Sequence, residues 1–370
     1  MSPAATPRHV GKFADVTGPG VTDRLGVTCT DLGASVAAPD GSLVSVFGDT
    51  FAGPKVGAGD WRSPVVLIGS GDAGRRIRYD RAGGGDPDYA RQLWHYEHRE
   101  PVSRLDRGAI STVIPSDLLR VGPTLYLHAI VNRGFGTVVW TEIWCSDDGG
   151  VSWRNAGARF PARLHRGHAQ CWSWEYDPDD GWVYVASTGF QRNKGIILRR
   201  VRPADIGDPR RYSGWGYRGS RRGWGRTPAP ITPAGERWGE LSLRRLAPDT
   251  WVLGGFVASR YALGYRVLRH PTDELARAPL QLPITGCGWD DEDHDAGRVA
   301  QLYGGYLLPG SRVDRPGGVG LLVSQWNTAA GWPYRVMQFR VTLDGGATAA
   351  PATSSTASGR RSAGGSRRSP

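Results

Sequence analysis

Residues 31 to 49 read DLGASVAAPDGSLVSVFGD, and the recurrence of this pattern along the chain decides the fold. Two apolar runs of strand length flank Pro39-Asp40-Gly41, a strong turn signal. The same build returns from Ser111 (STVIPSDLLRVGPTLYLHAIVNR), Gln170 (QCWSWEYDPDDGWVYVAST), Gly239 (GELSLRRLAPDTWVLGGFV) and Gln301 (QLYGGYLLPGSRVDRPGGVGLLVSQWN). Five units at intervals of roughly 60 to 80 residues predict an all-β chain folded as a five-bladed β-propeller, each four-stranded sheet packing on the next.

The second unit runs into SDDGGVSW, where Ser146, Asp148, Gly150 and Trp153 make the S-x-D-x-G-x-x-W turn of sialidase-like propellers. Such a turn is a structural lock: the aspartate satisfies backbone donors and the tryptophan packs between strands. A sialidase-like enzyme is disfavoured, because neither repeated Asp boxes nor an arginine triad is evident. Helical periodicity is scarce, with short segments only near PADIGD and TDELARA.

Composition agrees with short strands and many turns: 53 glycines, 26 prolines and 15 tryptophans in 370 residues. The net charge is +11, but the last twenty residues carry four arginines and no acid, which leaves +7 on the rest. Residues 346–370 are expected to be a disordered basic tail, residues 1–20 an N-terminal extension and residues 21–345 the propeller. No nucleic-acid-binding signature is present, so no nucleic acid is expected as partner. No run of eighteen apolar residues occurs and the first residues lack a signal-peptide pattern, so neither membrane insertion nor a recognisable export signal is expected. Cys29, Cys145, Cys171 and Cys287 lie far apart without CxxC spacing, which favours buried free thiols over a zinc site.

Few residues offer chemistry. If the first hairpin turns at Asp40, Asp31 falls opposite Asp49, and two carboxylates side by side demand a shared proton, a cation or a substrate. A one-residue slip would separate them, and Asp49 could instead form an Asx-turn with Thr50. Glu236 and Glu240 flank Trp238 where the fourth blade's inner strand should begin; ion pairs to Arg244 or Arg245 are the alternative role. His168, Gln170, Trp172 and Trp174 stand at the entrance of the third blade, as sugar-stacking aromatics would, although propeller cores also use tryptophan. WDDEDHD, residues 289 to 295, has oxygen ligands enough for calcium but lacks the EF-hand glycine, and no metal is assigned. Gln325, Trp326 and Asn327 end a fifth-blade strand, where their amides can bond hydroxyls or close a turn.

Taken together, DLGASVAAPDGSLVSVFGDTF, STVIPSDLLRVGPTLYLHAI, WGELSLRRL and QLYGGYLLPGS with GLLVSQWNTAAGWPYRVMQF resemble the domain of unknown function 4185 family, also classed as glycoside hydrolase family 183. The resemblance runs from about residue 20 to 343. It implies a five-bladed propeller acting as an endo-D-arabinanase on the α-linked D-arabinofuranose chains of mycobacterial-type cell envelopes. The aspartates of the D-L-G and F-G-D-T segments, here Asp31 and Asp49, are those it marks as catalytic. Glu240 is a possible third carboxylate, and Trp172, Trp238, His168, Gln170, Gln325, Trp326 and Asn327 are the expected substrate-binding residues. Acetal cleavage by two carboxyl groups needs no cofactor. The expectation is a monomer acting on a polysaccharide, D-arabinan, at the cell envelope, whether secreted or phage-associated. A propeller that binds envelope glycan without cutting it is the alternative.

Overall fold

Each of the five recurrent stretches opens the innermost strand of a blade. The computed structural model describes residues 9–94, 96, 110–134 and 136–345. Blade one is Leu32–Ala37, Leu43–Phe47, Val65–Asp72 and Arg75–Ala82; blade two is Thr112–Val121, Thr124–Asn132, Val138–Ser146 and Arg154–Pro161. Blade three is Cys171–Asp177, Trp182–Thr188, Ile197–Val201 and the short Ser213–Gly214. Blade four is Trp238–Ala247, Thr250–Val257, Ala262–Leu268, Gln281–Cys287 and, pairing in parallel, Arg298–Ala300. Blade five is Leu302–Leu307, Val319–Trp326 and Tyr334–Val341, with Val10–Asp15 added as its outermost strand.

That last pairing corrects the expected boundary at residue 20. Val10 lies opposite Val341, and the segment assigned to an extension closes the ring. PADIGD and TDELARA hold only 3-10 turns, Pro203–Asp205 and Leu275–Arg277. The tail from residue 346 lies outside the described residues.

Blades have both faces covered by neighbours, so their inner strands are mostly buried on both sides and the core sits between sheets. The five inner strands pack side by side around a common axis, the fifth returning to the first. At four of these joints a buried serine hydroxyl accepts a backbone N–H of the next blade: Ser116 from Trp172, Ser173 from Leu243, Ser242 from Leu307 and Ser324 from Leu32. Each such bond satisfies an inner-strand donor that the blade's own ladder leaves over. Deep in the channel Arg244 of blade four forks onto Asp117 of blade two at 2.6 and 2.8 Å, and Ser173 of blade three donates to the same carboxylate. Of the four cysteines, three are buried, Cys287 is half-buried and none is disulfide-bonded.

Candidate active site

The first hairpin turns where its sequence predicts. Ala34 faces Val46, Ser35 faces Ser45, Val36 faces Val44 and Ala37 faces Leu43. Between Leu32 and Ala34 the register then slips by a β-bulge, with Gly33 at φ 107° and Leu32 itself left-handed at φ 68°. Asp31 therefore does not face Asp49 directly. Its carbonyl accepts from the N–H of Gly48, and Asp49 is the next residue along. A left-handed leucine is an uncommon conformation, and here it sets the direction in which the chain carries Asp31.

The two aspartates nevertheless act on each other. Asp31 Oδ2 accepts from the Tyr303 hydroxyl at 2.9 Å, and the nearby Tyr334 hydroxyl also favours its charged form. Its Oδ1 is shut off from solvent without a partner and lies against Gly48, where a Cβ would stand 2.3 Å away. Burial first, then the charge on Asp49, pushes the Asp31 carboxyl up to about 8, against the hydroxyls of Tyr334 and Tyr303; the charge on Glu240 adds to the rise. Asp49 Oδ1 accepts from Trp61 Nε1 at 2.8 Å and from the Thr112 hydroxyl at 2.9 Å, which replaces the Asx-turn alternative. Burial raises Asp49 too, while these two donors pull it down.

Glu240 completes the group from the fourth blade. It pairs with Arg192 through Oε1, while its Oε2 is buried without a partner. The Arg192 guanidinium also lies 5.3 Å from the centre of the Tyr303 ring, so the ion pair leans on the tyrosine that holds Asp31. Glu236 instead pairs with Arg266, as its ion-pair reading foresaw, although the partner is neither Arg244 nor Arg245. The result is three carboxylates from two blades at the end of the channel where the inner strands begin. Burial raises both aspartates, and Asp31, pushed up to about 8, holds a proton at neutral pH, as a general acid must.

Several expected sugar contacts are absent from this mouth. Trp172 and Trp238 are 0% and 1% exposed, so both are core residues and neither can face a sugar. Trp172 stacks on His128, and the Trp238 indole donates to Glu236. Gln325 is fully buried, bonded to Glu292 and Arg335. Asn327 accepts from the backbone N–H of Ala330 and closes a turn. Half-buried Gln170 spends its amide on Ala162 and Phe190, and half-buried His168 uses Nδ1 on Gly195. Trp326 is half-buried and packs 5.3 Å from Tyr334, beside Asp31. Trp61, Thr112, Arg192, Tyr303 and Tyr334 were not foreseen. Tyr303, one residue into the fifth inner strand, stands where position alone could have flagged it.

The acidic loop at 289–295 is cross-linked to the protein: Glu292 pairs with His294 and accepts from Gln325, and Asp293 pairs with Arg298. Among the described residues Asp177, Asp180 and His270 place ligand atoms within 4.8 Å of one another. Tyr184 donates to Asp180 and bonds His270, whose other ring nitrogen meets Thr272, so these atoms are already engaged. No described helix is long and apolar enough to cross a membrane.

Known proteins share this architecture. The chain is 29% identical over 337 residues to the "uncharacterized 35.9 kDa protein in asd 3'region" of Mycolicibacterium smegmatis, covering 86% of this chain and 94% of that one. It is 30% identical over 324 residues to "Notoamide biosynthesis cluster protein J'" of Aspergillus versicolor, covering 83% of each. Among solved structures, the α-L-arabinanase of Cellvibrio cellulosa complexed with arabinohexaose superposes with a TM-score of 0.52 at 12% identity, over 86% of this chain and 94% of that one. At that identity the likeness concerns the fold alone. The profile of the Domain of unknown function (DUF4185) matches residues 17–340, a span that takes in all five inner strands, and the chain belongs to the DUF4185 family.

Proposed function

We propose that the protein is a glycoside hydrolase, an endo-D-arabinanase of the family 183 type, cutting α-D-arabinofuranosidic linkages with Asp31 and Asp49. The observation that carries this reading is the placement of the two carboxyls: Asp31, held by Tyr303 and pushed up to about 8 by burial and by the charge on Asp49, lies near Asp49, which accepts from Trp61 and Thr112. Cleaving a furanosidic acetal needs a proton on the departing oxygen and negative charge opposite the anomeric carbon as it becomes oxocarbenium-like. Asp31 supplies the first. Asp49 supplies the second, as nucleophile or as base toward water. Glu240, held by Arg192, stands beside the pair as a third carboxylate whose charge helps Asp31 keep its proton. Trp326 is the aromatic face left for stacking. The family match and the propeller fold support a hydrolase of this type.

Digestion of purified mycobacterial arabinogalactan tests this. Wild type should release arabino-oligosaccharides, and Asp49→Asn should lower the rate by about 100- to 10,000-fold, the usual share of a positioned acid or base. If neither protein releases sugar while both bind the polymer, the function is glycan binding without hydrolysis and the catalytic reading fails.

A further inference from the structure

A second polar centre lies away from the mouth, between blades two and three. Arg199, on the third strand of blade three, is 0% exposed, yet none of its three guanidinium nitrogens has a hydrogen-bond partner among the described residues. Its guanidinium lies 4.3 Å from the centre of the Trp172 ring and 5.5 Å from that of Tyr212. The strand register explains who else faces it. Arg199 pairs with Val185, and Trp172 pairs with Ser187, so Trp172, Trp174, Ser187 and Arg199 share the face of blade three that looks at blade two. From blade two, His128 stacks on Trp172 with ring centres 3.9 Å apart, and Thr141 shares the His128 face, since Ile143 pairs with His128 and Thr141 with Ile130.

The polar atoms of this interface are left unpaired as a set. They are both ring nitrogens of His128, Thr141 Oγ1, Trp174 Nε1, Ser187 Oγ and Arg199 Nε, Nη1 and Nη2. Almost every one is an N–H or O–H donor, and no carboxylate faces them. Burial lowers both His128 and His165, and Arg199 adds to both effects, so the two imidazoles are neutral. Burial likewise lowers Arg199 to about 10, which leaves it charged at neutral pH. A buried cation without a counter-ion is a costly arrangement, and buried donors are nearly always satisfied. Nothing in the glycan chemistry at the mouth uses these residues.

We propose that the interface between blades two and three binds a small monovalent inorganic anion of halide size, held by the Arg199 guanidinium with donors from Ser187, Thr141, Trp174 and His128. A halide fits the donor set better than water alone, because it accepts from several N–H and O–H groups without needing to donate in return and it neutralises the arginine. The ion is structural: it belongs to the native state only, and binding it selectively stabilises the fold in proportion to the logarithm of its concentration.

The test is unfolding and refolding of the whole chain in chloride, bromide or gluconate at equal ionic strength, followed by thermal melts and by bromide anomalous scattering from crystals. The expected result is a Tm that rises linearly with the logarithm of chloride or bromide and not with gluconate, together with a bromide peak within hydrogen-bonding distance of Arg199. The Tm of Arg199→Met should lose that slope. Should this variant fail to fold, Ser187→Ala should show the slope displaced to higher halide concentration. Identical melts in the three salts with water density and no bromide peak at Arg199 would overturn the assignment. So would a halide slope that persists unchanged in both variants.

Discussion

A carboxyl that keeps its proton to about pH 8 leaves a mark on stability as well as on chemistry. The Asp31 pKa is raised above its unfolded value of about 4, so the native state holds a proton that the unfolded chain gives up. The stability tied to that proton is complete below about pH 4 and is lost as pH rises toward about 8. An asparagine at this position cannot ionise. The difference in Tm between Asp31→Asn and wild type should therefore widen by several degrees from pH 4 to 8 and level off above, and a pH-independent difference would contradict the raised pKa. Hydrolysis by the wild type should decline over the upper part of the same range as the acid deprotonates. Gly48 offers a second test at this scale. Alanine there would drive its Cβ into Asp31 Oδ1, and a displaced carboxyl should cost about 100-fold in kcat/KM with little change in the far-UV spectrum. Asp31 and Asp49 were legible as a pair from the hairpin turn, but the effect of the bulge at Leu32 and Gly33 was not. Gly33 inside a strand pattern is a bulge signal, but it does not tell which way the slip turns Asp31.

Hairpins and strand starts carry the most readable information. Each of the five inner strands begins within one residue of the start of a recurrent unit, because the turn residues between the first two strands fix where both must run. The tight turn after the third strand of blade two behaves as its motif implies: Asp148 accepts twice from the Ser152 N–H and once from the Ser146 hydroxyl, and the Trp153 indole donates to Gly150. Asp148→Ala should lower stability by about 1–2 kcal/mol in urea melts, by loss of these bonds, and leave glycan hydrolysis unchanged. A loss of activity beyond that of the folded fraction would tie the turn to the site. The tryptophans read less well. Alternation tells which residues share a face, but both faces of a blade are covered by neighbours, so nothing in the alternation separates a sugar platform from a core ring. Trp172 and Trp238 fell on the core side for that reason.

At the scale of the ring, contacts between blades could not be read from local pattern at all. Asp117 and Arg244 lie 127 residues apart in the chain and meet in the channel, with Ser173 between them in sequence and in space. Removing one charge strands the other, so Arg244→Met should destabilise by about 3–5 kcal/mol, while the double change Asp117→Leu with Arg244→Met should recover much of that loss. A double variant no better than the single one would mean that packing, not charge, sets the cost there.

The pairing of Val10–Asp15 with Tyr334–Val341 has a bearing on how the protein is made. Leaving the ribosome, this strand appears before any blade, yet the surface it must join is synthesised more than 300 residues later. At elongation rates of about 5–20 residues per second the wait lasts tens of seconds. Throughout it the nascent chain carries an unpaired strand, while the four complete blades have no fifth to close upon. Until the two strands meet, the free edge of Tyr334–Val341 is an unpaired strand of the kind that aggregates, and it is the surface a chaperone would cover.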